Sequence, residues 1–228
     1  MKNDFLRDST LIFDLDGTLV DTAPDLIHAL NHVLGSIDCP LATETHIRPF
    51  ISYGAWRMIV EGLAVNGISM SDDEINKLLD KFLDFYASNI AVSSAPYPRL
   101  AETLDTAATA GAILGVCTNK REDLSLSLLR ELELHDRFKA IVGRDTLDVC
   151  KPHPRHLTET IARSGGDPAR SVMIGDSPTD VNTAKAAGIP VVAVSFGYSE
   201  VAPQDLGADA LIHDDADPIG VQPQLLDR

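Results

Sequence analysis

The chain has 228 residues, 44% of them hydrophobic, and its 19 Lys and Arg against 34 Asp and Glu leave a formal charge of −15. That length suits a core domain plus a smaller lobe, since domains run to roughly 100 to 200 residues. No block of Lys and Arg offsets the acidic balance, so neither nucleic acid nor an anionic membrane is expected as a partner, and an anionic substrate would need a local source of positive charge.

Cys39, Cys117 and Cys150 are odd in number and widely spaced with no C-x-x-C pair, which argues against a disulfide framework or a zinc site and suits reduced thiols. The N-terminal MKNDFLRDST has scattered charge and no apolar signal core, and no run approaches the roughly 18 apolar residues of a membrane span, so a soluble cytoplasmic protein is expected.

In chain order, the apolar run 11–13 predicts a buried strand that stops at Asp14 and Gly17. From about residue 22 to 89 helical patterns dominate, at 24–34, 56–65 and 72–86, with Ser71 and Glu74 forming a capping box and no good strand between. After Tyr97-Pro98 the pattern alternates. Helices are predicted at 100–110, 122–133, 155–164 and 178–187, and strands at 113–117, 140–142, 171–174, 191–194 and 210–212. Short β-branched runs alternating with helices imply right-handed β-α-β crossovers and an α/β fold with a mostly parallel sheet covered on both faces. The helical stretch then reads as an insertion able to act as a lid. The acidic stretch 213–217 is too short to count as a disordered arm.

Ligands of an open parallel sheet bind outside the carboxyl ends of its strands, which directs attention to four polar islands. Asp14-Leu15-Asp16-Gly17-Thr18 follows the first strand, and residues two apart share a side, so Asp14 and Asp16 can face one volume where their charges need a cation or a shared proton. A solvated turn would explain the same residues, but a calcium EF-hand would not, because that loop wants glycine sixth and here it is fourth. Thr118-Asn119 can hold phosphate oxygens or simply cap a helix. Lys151 precedes Pro152, which restricts it to an extended conformation and can aim its ammonium. Asp176 and Asp180, in Gly175-Asp176-Ser177-Pro178-Thr179-Asp180, follow a strand and open a helix at Pro178, where a plain N-terminal cap would also account for either acid.

In order and spacing the four islands resemble the haloacid dehalogenase superfamily, whose D-x-D-G-T, Ser/Thr, Lys and G-D-x-x-x-D motifs correspond to DLDGT at 14–18, Thr118, Lys151 and GDSPTD at 175–180. The resemblance covers residues 11 to about 197. It implies a Rossmann-like core, residues 1–20 and 95–228, with a helical cap at 21–94 inserted after the first strand. It implies a phosphate monoester hydrolase in which Asp14 is the nucleophile, giving an aspartyl phosphate, and Asp16 is general acid and then general base. Thr118, Asn119 and Lys151 would bind and neutralise the phosphoryl group. Mg²⁺ would be held by Asp14, the carbonyl of Asp16 and Asp176, with Asp180 and Thr18 behind them. Asp16 favours ester hydrolysis over dehalogenation or phosphonate cleavage, where the family lacks it.

Arg48, Tyr53, Gly54 and Arg57 are the cap residues expected to meet the substrate, while Trp56 reads as a core anchor of the cap. His28 and His32, four apart on a helix, read as surface or packed residues. Tyr97-Pro98 and Ser195-Phe196-Gly197-Tyr198 resemble segments of phosphoglycolate phosphatases, so a small phosphorylated metabolite such as 2-phosphoglycolate is the expected substrate, acted on by a monomer or homodimer. Other phosphatases of sugar phosphates, pyrophosphate or nucleotides, a β-phosphoglucomutase-like mutase, and a non-catalytic phosphate- or metal-binding module are the alternatives.

Overall fold

A computed structural model of the chain describes residues 6–213. Of the acidic stretch 213–217, only His213 lies within them.

The first strand, β1 (Thr10–Phe13), is followed by the two-residue β2 (Val20–Asp21) and the helices α1 (Ala23–Gly35), α2 (Glu44–Ile47), α3 (Ala55–Ala64) and α4 (Asp72–Ser88). The chain returns through β3 (Ala95–Pro96) and then alternates through α5 (Leu100–Thr109), β4 (Ile113–Cys117), α6 (Glu122–Glu131), β5 (Ala140–Val142), α7 (Pro154–Ser164), β6 (Ser171–Gly175), α8 (Pro178–Ala187), β7 (Val191–Val194) and β8 (Ala210–Ile212). Every strand and helix expected from periodicity is present, with ends shifted by at most two residues.

Among the described residues six strands form one parallel sheet in the order β5-β4-β1-β6-β7-β8. Alternate residues of each strand point to opposite faces. Leu11 and Phe13 join the core built with Leu104 and Leu128, whereas Ile12 joins Leu157, Ile161 and Val181 on the other side. Because helices cover both faces, the strands are continuous apolar runs without polar alternation.

Among the helices between β2 and β3, Leu30 and Leu34 of α1, Met58 and Leu63 of α3, and Leu78 and Phe82 of α4 are buried in one shared cluster. Gly62 lets α3 approach α1 closely, since a Cβ there would stand 3.2 Å from Leu34 Cδ1. Ser71 and Glu74 cap α4 reciprocally, as the sequence suggests. His32 stacks on Phe85 with ring centroids 3.9 Å apart and His28 meets the same ring edge-on, so both are packing residues.

Where the chain leaves and re-enters the sheet, Val20 and Asp21 pair antiparallel with Pro96 and Ala95. Buried Asp25 ties the same two passages together by accepting from Ser93 N (2.9 Å), Ser94 N (2.8 Å) and Ser94 Oγ (2.7 Å). This ribbon is too short to show periodicity in the sequence.

Candidate active site

The strand order places β4 on one side of β1 and β6 on the other. The crossover direction therefore reverses at β1, and a crevice opens at the carboxyl ends of these three strands. Asp14 stands just past β1, Thr118 past β4, Asp176 past β6, and Lys151 in the loop between β5 and α7.

Lys151 is the hub. Its side chain is 1% exposed, and its Nζ lies 2.9 Å from Asp14 Oδ1 and 2.6 Å from Asp180 Oδ1. Asp14 Oδ1 also accepts from Leu15 N at 2.7 Å. The other oxygen of Asp180 accepts from Asp176 N (3.2 Å), Ser177 N (3.1 Å) and Ser177 Oγ (2.7 Å). Asp176 accepts from Thr18 Oγ1 (3.0 Å) and from Tyr198 N (2.7 Å).

Two glycines make room for Asp176. A Cβ on Gly17, which sits at φ +84°, would stand 2.6 Å from Asp176 Oδ2, and one on Gly197 would collide with the Asp176 side chain. The Ser195–Tyr198 stretch thus has a local job. Gly197 lets it close on Asp176, while Tyr198 Oη accepts from Thr22 N (2.6 Å) and Ala23 N (3.0 Å) and donates to Asp21 Oδ1 (2.6 Å), fixing the start of α1.

The electrostatics ask for a cation. Asp14, Asp176 and Asp180 each offer a carboxylate oxygen within 4.8 Å of the others, all buried, and among the described residues Lys151 is the single ammonium paired with the group. Burial, opposed by Lys151, pushes the Asp14 carboxyl up to about 7. Burial together with Asp180 and Asp14 pushes Asp176 well above the usual carboxylate range. Burial would lower Lys151, but Asp14 and Asp180 outweigh it and hold the ammonium above the ordinary lysine range. Like charges crowded in a dry site are relieved by a hard divalent cation with oxygen ligands.

The donor set fits such an ion. Asp180 Oδ1 is ion-paired to Lys151 and its Oδ2 takes three hydrogen bonds at the N-terminus of α8, whereas each Asp176 oxygen accepts one, which leaves Asp14 and Asp176 as the less committed carboxylates. Among the described residues no backbone N–H donates to the Asp16 carbonyl, so that oxygen is available as well.

The Asp16 side chain turns to a second network. Its Oδ1 accepts from Thr22 Oγ1 (2.8 Å) and from Lys120 Nζ (3.1 Å), and Lys120 Nζ also donates to Tyr86 Oη of α4 (2.8 Å). Burial would lower Lys120, but Asp16 and Tyr86 hold its ammonium above the ordinary value. Burial likewise pushes the Tyr86 hydroxyl up to about 12.

A cavity of about 110 Å³ opens over this network, bounded by Asp14, Asp16, Thr118, Asn119 and Lys120 on the sheet side and by Ser52, Gly54, Met58, Phe82 and Tyr86 on the helical side. Such a floor can offer a carboxylate nucleophile beside a cation, with a second carboxyl one step away to move a proton.

Of the cap residues expected at the substrate, Gly54 lines this cavity, and Tyr53 lines a neighbouring one with Asn119 and Lys151 while donating to Glu200 at 3.0 Å. Arg48 and Arg57 are not brought to the cavity wall. Arg48 pairs with Glu44 and Asp21 over the Tyr198 ring, and Arg57 pairs with Glu61. Asn119 donates to the Lys151 carbonyl (3.1 Å), but its own Oδ1 is buried with no partner among the described residues. Thr118 Oγ1 accepts from Lys120 N at 3.2 Å.

Two neighbours of the site escape the sequence reading. Lys120 follows Thr118-Asn119 directly and continues the same strand-end island, a signal that was there to use. His156 lies on α7 at 0% exposure, where Nδ1 accepts from Lys151 N (3.2 Å) and Nε2–H donates to the Gly143 carbonyl (3.0 Å); its role depends on burial, which the sequence does not display.

A family model described as haloacid dehalogenase-like hydrolase matches residues 11–194. A phosphoglycolate phosphatase of Mesorhizobium japonicum is 47% identical over 207 residues, covering 90% of this chain and 91% of that protein. One of Caulobacter vibrioides is 44% identical over 91% of this chain and 88% of its own length. A crystal structure of a predicted phosphoglycolate phosphatase from Haemophilus somnus 129PT superposes with a TM-score of 0.84 at 28% identity, covering 92% of this chain and 95% of that one. The chain belongs to the haloacid dehalogenase-like hydrolases.

Proposed function

We propose that the protein hydrolyses the phosphate monoester 2-phosphoglycolate, with Mg²⁺ bound by Asp14, Asp176 and the Asp16 carbonyl and with Asp14 as the covalent nucleophile. The observation that carries the reading is that Asp14, ion-paired to buried Lys151, lines one cavity together with Asp16, beneath a helical segment. The substrate comes from the relatives' activity, since proteins 47% and 44% identical along nearly their whole length are phosphoglycolate phosphatases.

When bound, Mg²⁺ would offset the charge of the phosphoryl oxygens and of the carboxylates around them. The chain's residues do the rest. Lys151 holds Asp14 in place and neutralises phosphoryl charge, with Thr118 and Asn119 beside it. An Asp14 oxygen forms a bond to phosphorus as the ester P–O bond breaks, and Asp16 gives its proton to the departing alkoxide. Asp16 then takes a proton from water as that water attacks phosphorus, which releases phosphate and restores both acids. Asp180 orients Lys151 and the loop of Asp176. Residues 21–94 act as a cap over the core of 1–20 and 95–228, excluding water from the cavity.

Phosphate release tests this, measured with and without Mg²⁺ on 2-phosphoglycolate, sugar phosphates, pyrophosphate, nucleotides and p-nitrophenyl phosphate. Metal-dependent turnover with 2-phosphoglycolate preferred is expected. A strong preference for another ester would replace the substrate, and turnover indifferent to a chelator would remove the metal.

A further inference from the structure

Lys120 is a cation that the phosphoryl site does not use. Its side chain is 5% exposed, and it reaches Asp16 rather than Asp14. An ammonium has three N–H donors. One is directed at Asp16 (3.1 Å to Oδ1, 3.4 Å to Oδ2) and one at Tyr86 Oη (2.8 Å), which leaves one for whatever fills the cavity that Lys120 lines. The other cations on that wall are less suited to meeting a buried ligand, because Arg121 is half committed to exposed Asp123 and Arg144 is itself exposed.

Position decides what Lys120 can meet. The leaving oxygen of the ester must come within hydrogen-bond reach of Asp16, roughly 3 Å. Lys120 Nζ lies 3.1 Å from that carboxylate, whereas Lys151 pairs with Asp14 and Asp180, so a group carried next to the leaving oxygen comes towards Lys120. Met58, Leu79, Phe82 and Leu83 add apolar wall, and Ser52 adds a buried hydroxyl with no partner among the described residues. In such surroundings a charge on the leaving group meets a buried ammonium, and the interaction is stronger than it would be in water.

We propose that Lys120 recognises a carboxylate on the alcohol half of the substrate, making the enzyme selective for phosphate esters of short hydroxy acids. This rests on the phosphatase reading above and assigns its specificity to a residue of the core.

The test is a matched pair of esters, 2-phosphoglycolate and its uncharged carboxamide, assayed as kcat/KM with Mg²⁺ on the wild type and on Lys120→Met and Lys120→Arg. Because Lys120 also holds Asp16, Lys120→Met will slow both esters, and the ratio between them isolates recognition. The wild type should favour the carboxylate by about 30-fold or more, the loss typical when a buried charge is left without its partner. Lys120→Met should bring the ratio to within about threefold, chiefly through KM, and Lys120→Arg should keep part of the preference. A wild type that treats the two esters alike overturns the proposal without any variant, as does a Lys120→Met enzyme that keeps the wild-type ratio. Release of phosphate from neither ester nor any other would instead sink the phosphatase reading, a result distinct from a phosphatase that ignores the carboxylate.

Discussion

His156 offers a prediction whose size follows from its surroundings. Lys151 N can only donate, so Nδ1 must be the unprotonated nitrogen and Nε2 carries the hydrogen donated to Gly143 O. Burial, together with the Lys151 charge, pushes the imidazole down from 6.5 to about 4. The folded state therefore binds this proton less readily than the unfolded one. The stability that follows is complete above the unfolded value and is lost as pH falls from about 6.5 towards 4. At about 1.4 kcal/mol per unit, the loss is about 2 kcal/mol between pH 7 and pH 5 and about 3 kcal/mol once the group is fully charged.

His156→Gln removes the titration. At pH 7 it should cost about 1–3 kcal/mol, because the buried Lys151 N–H loses a well-placed acceptor. By pH 5 the wild type should have lost most of that advantage, so urea unfolding curves of the two proteins, measured in metal-free buffer across this range, should converge. Other titrating groups, Asp14 and Asp176 included, are common to both proteins and cancel in the difference. A gap between wild type and variant that stays constant with pH would refute the argument.

Gly197→Ala should damage the site more than the fold, because the added Cβ meets Asp176. A loss of about 1–3 kcal/mol is expected, with a larger proportional fall in kcat/KM and in Mg²⁺ affinity, and unchanged affinity by titration calorimetry would count against it. In metal-free protein, burial raises Asp14 from 3.8 to about 7, so its contribution to stability falls as pH climbs through that interval. Mg²⁺, which displaces the proton, should therefore raise Tm more at pH 8 than at pH 5.5, and a larger shift at the lower pH would contradict the sign. Asp16→Asn should bind ester and metal but stall departure of the alkoxide, lowering kcat by about 100-fold or more; unchanged steady-state turnover would remove its role as acid.

Much of this was legible in the chain. Leu11-Ile12-Phe13 reads as a strand because both sheet faces are buried and no polar residue interrupts it, and Asp14 marks its end because a charge cannot continue into that core. Ordering the four polar islands was enough to bring Asp14, Lys151, Asp176 and Asp180 to one point. What stayed hidden depends on the third dimension. Arg48 and Arg57 are cationic and near the expected entrance, yet Glu44, Asp21 and Glu61 hold them elsewhere, and no local pattern encodes those partners. Lys120 continues the Thr118-Asn119 island in sequence, but its burial shows only when Tyr86 approaches from α4. Gly197 reads as a loop glycine until Asp176 is found against it.

The central claim is that phosphate passes through a covalent bond to Asp14. The direct measurement is to mix enzyme, Mg²⁺ and 2-phosphoglycolate, quench in acid within the first turnover, and map the digested peptides by mass spectrometry. The account predicts one added phosphoryl group on the peptide containing Asp14, gone once substrate is exhausted and missing from Asp14→Asn, which should be inactive yet folded. Phosphate formed with that peptide never modified, or an Asp14→Asn protein turning over at the wild-type rate, would contradict it.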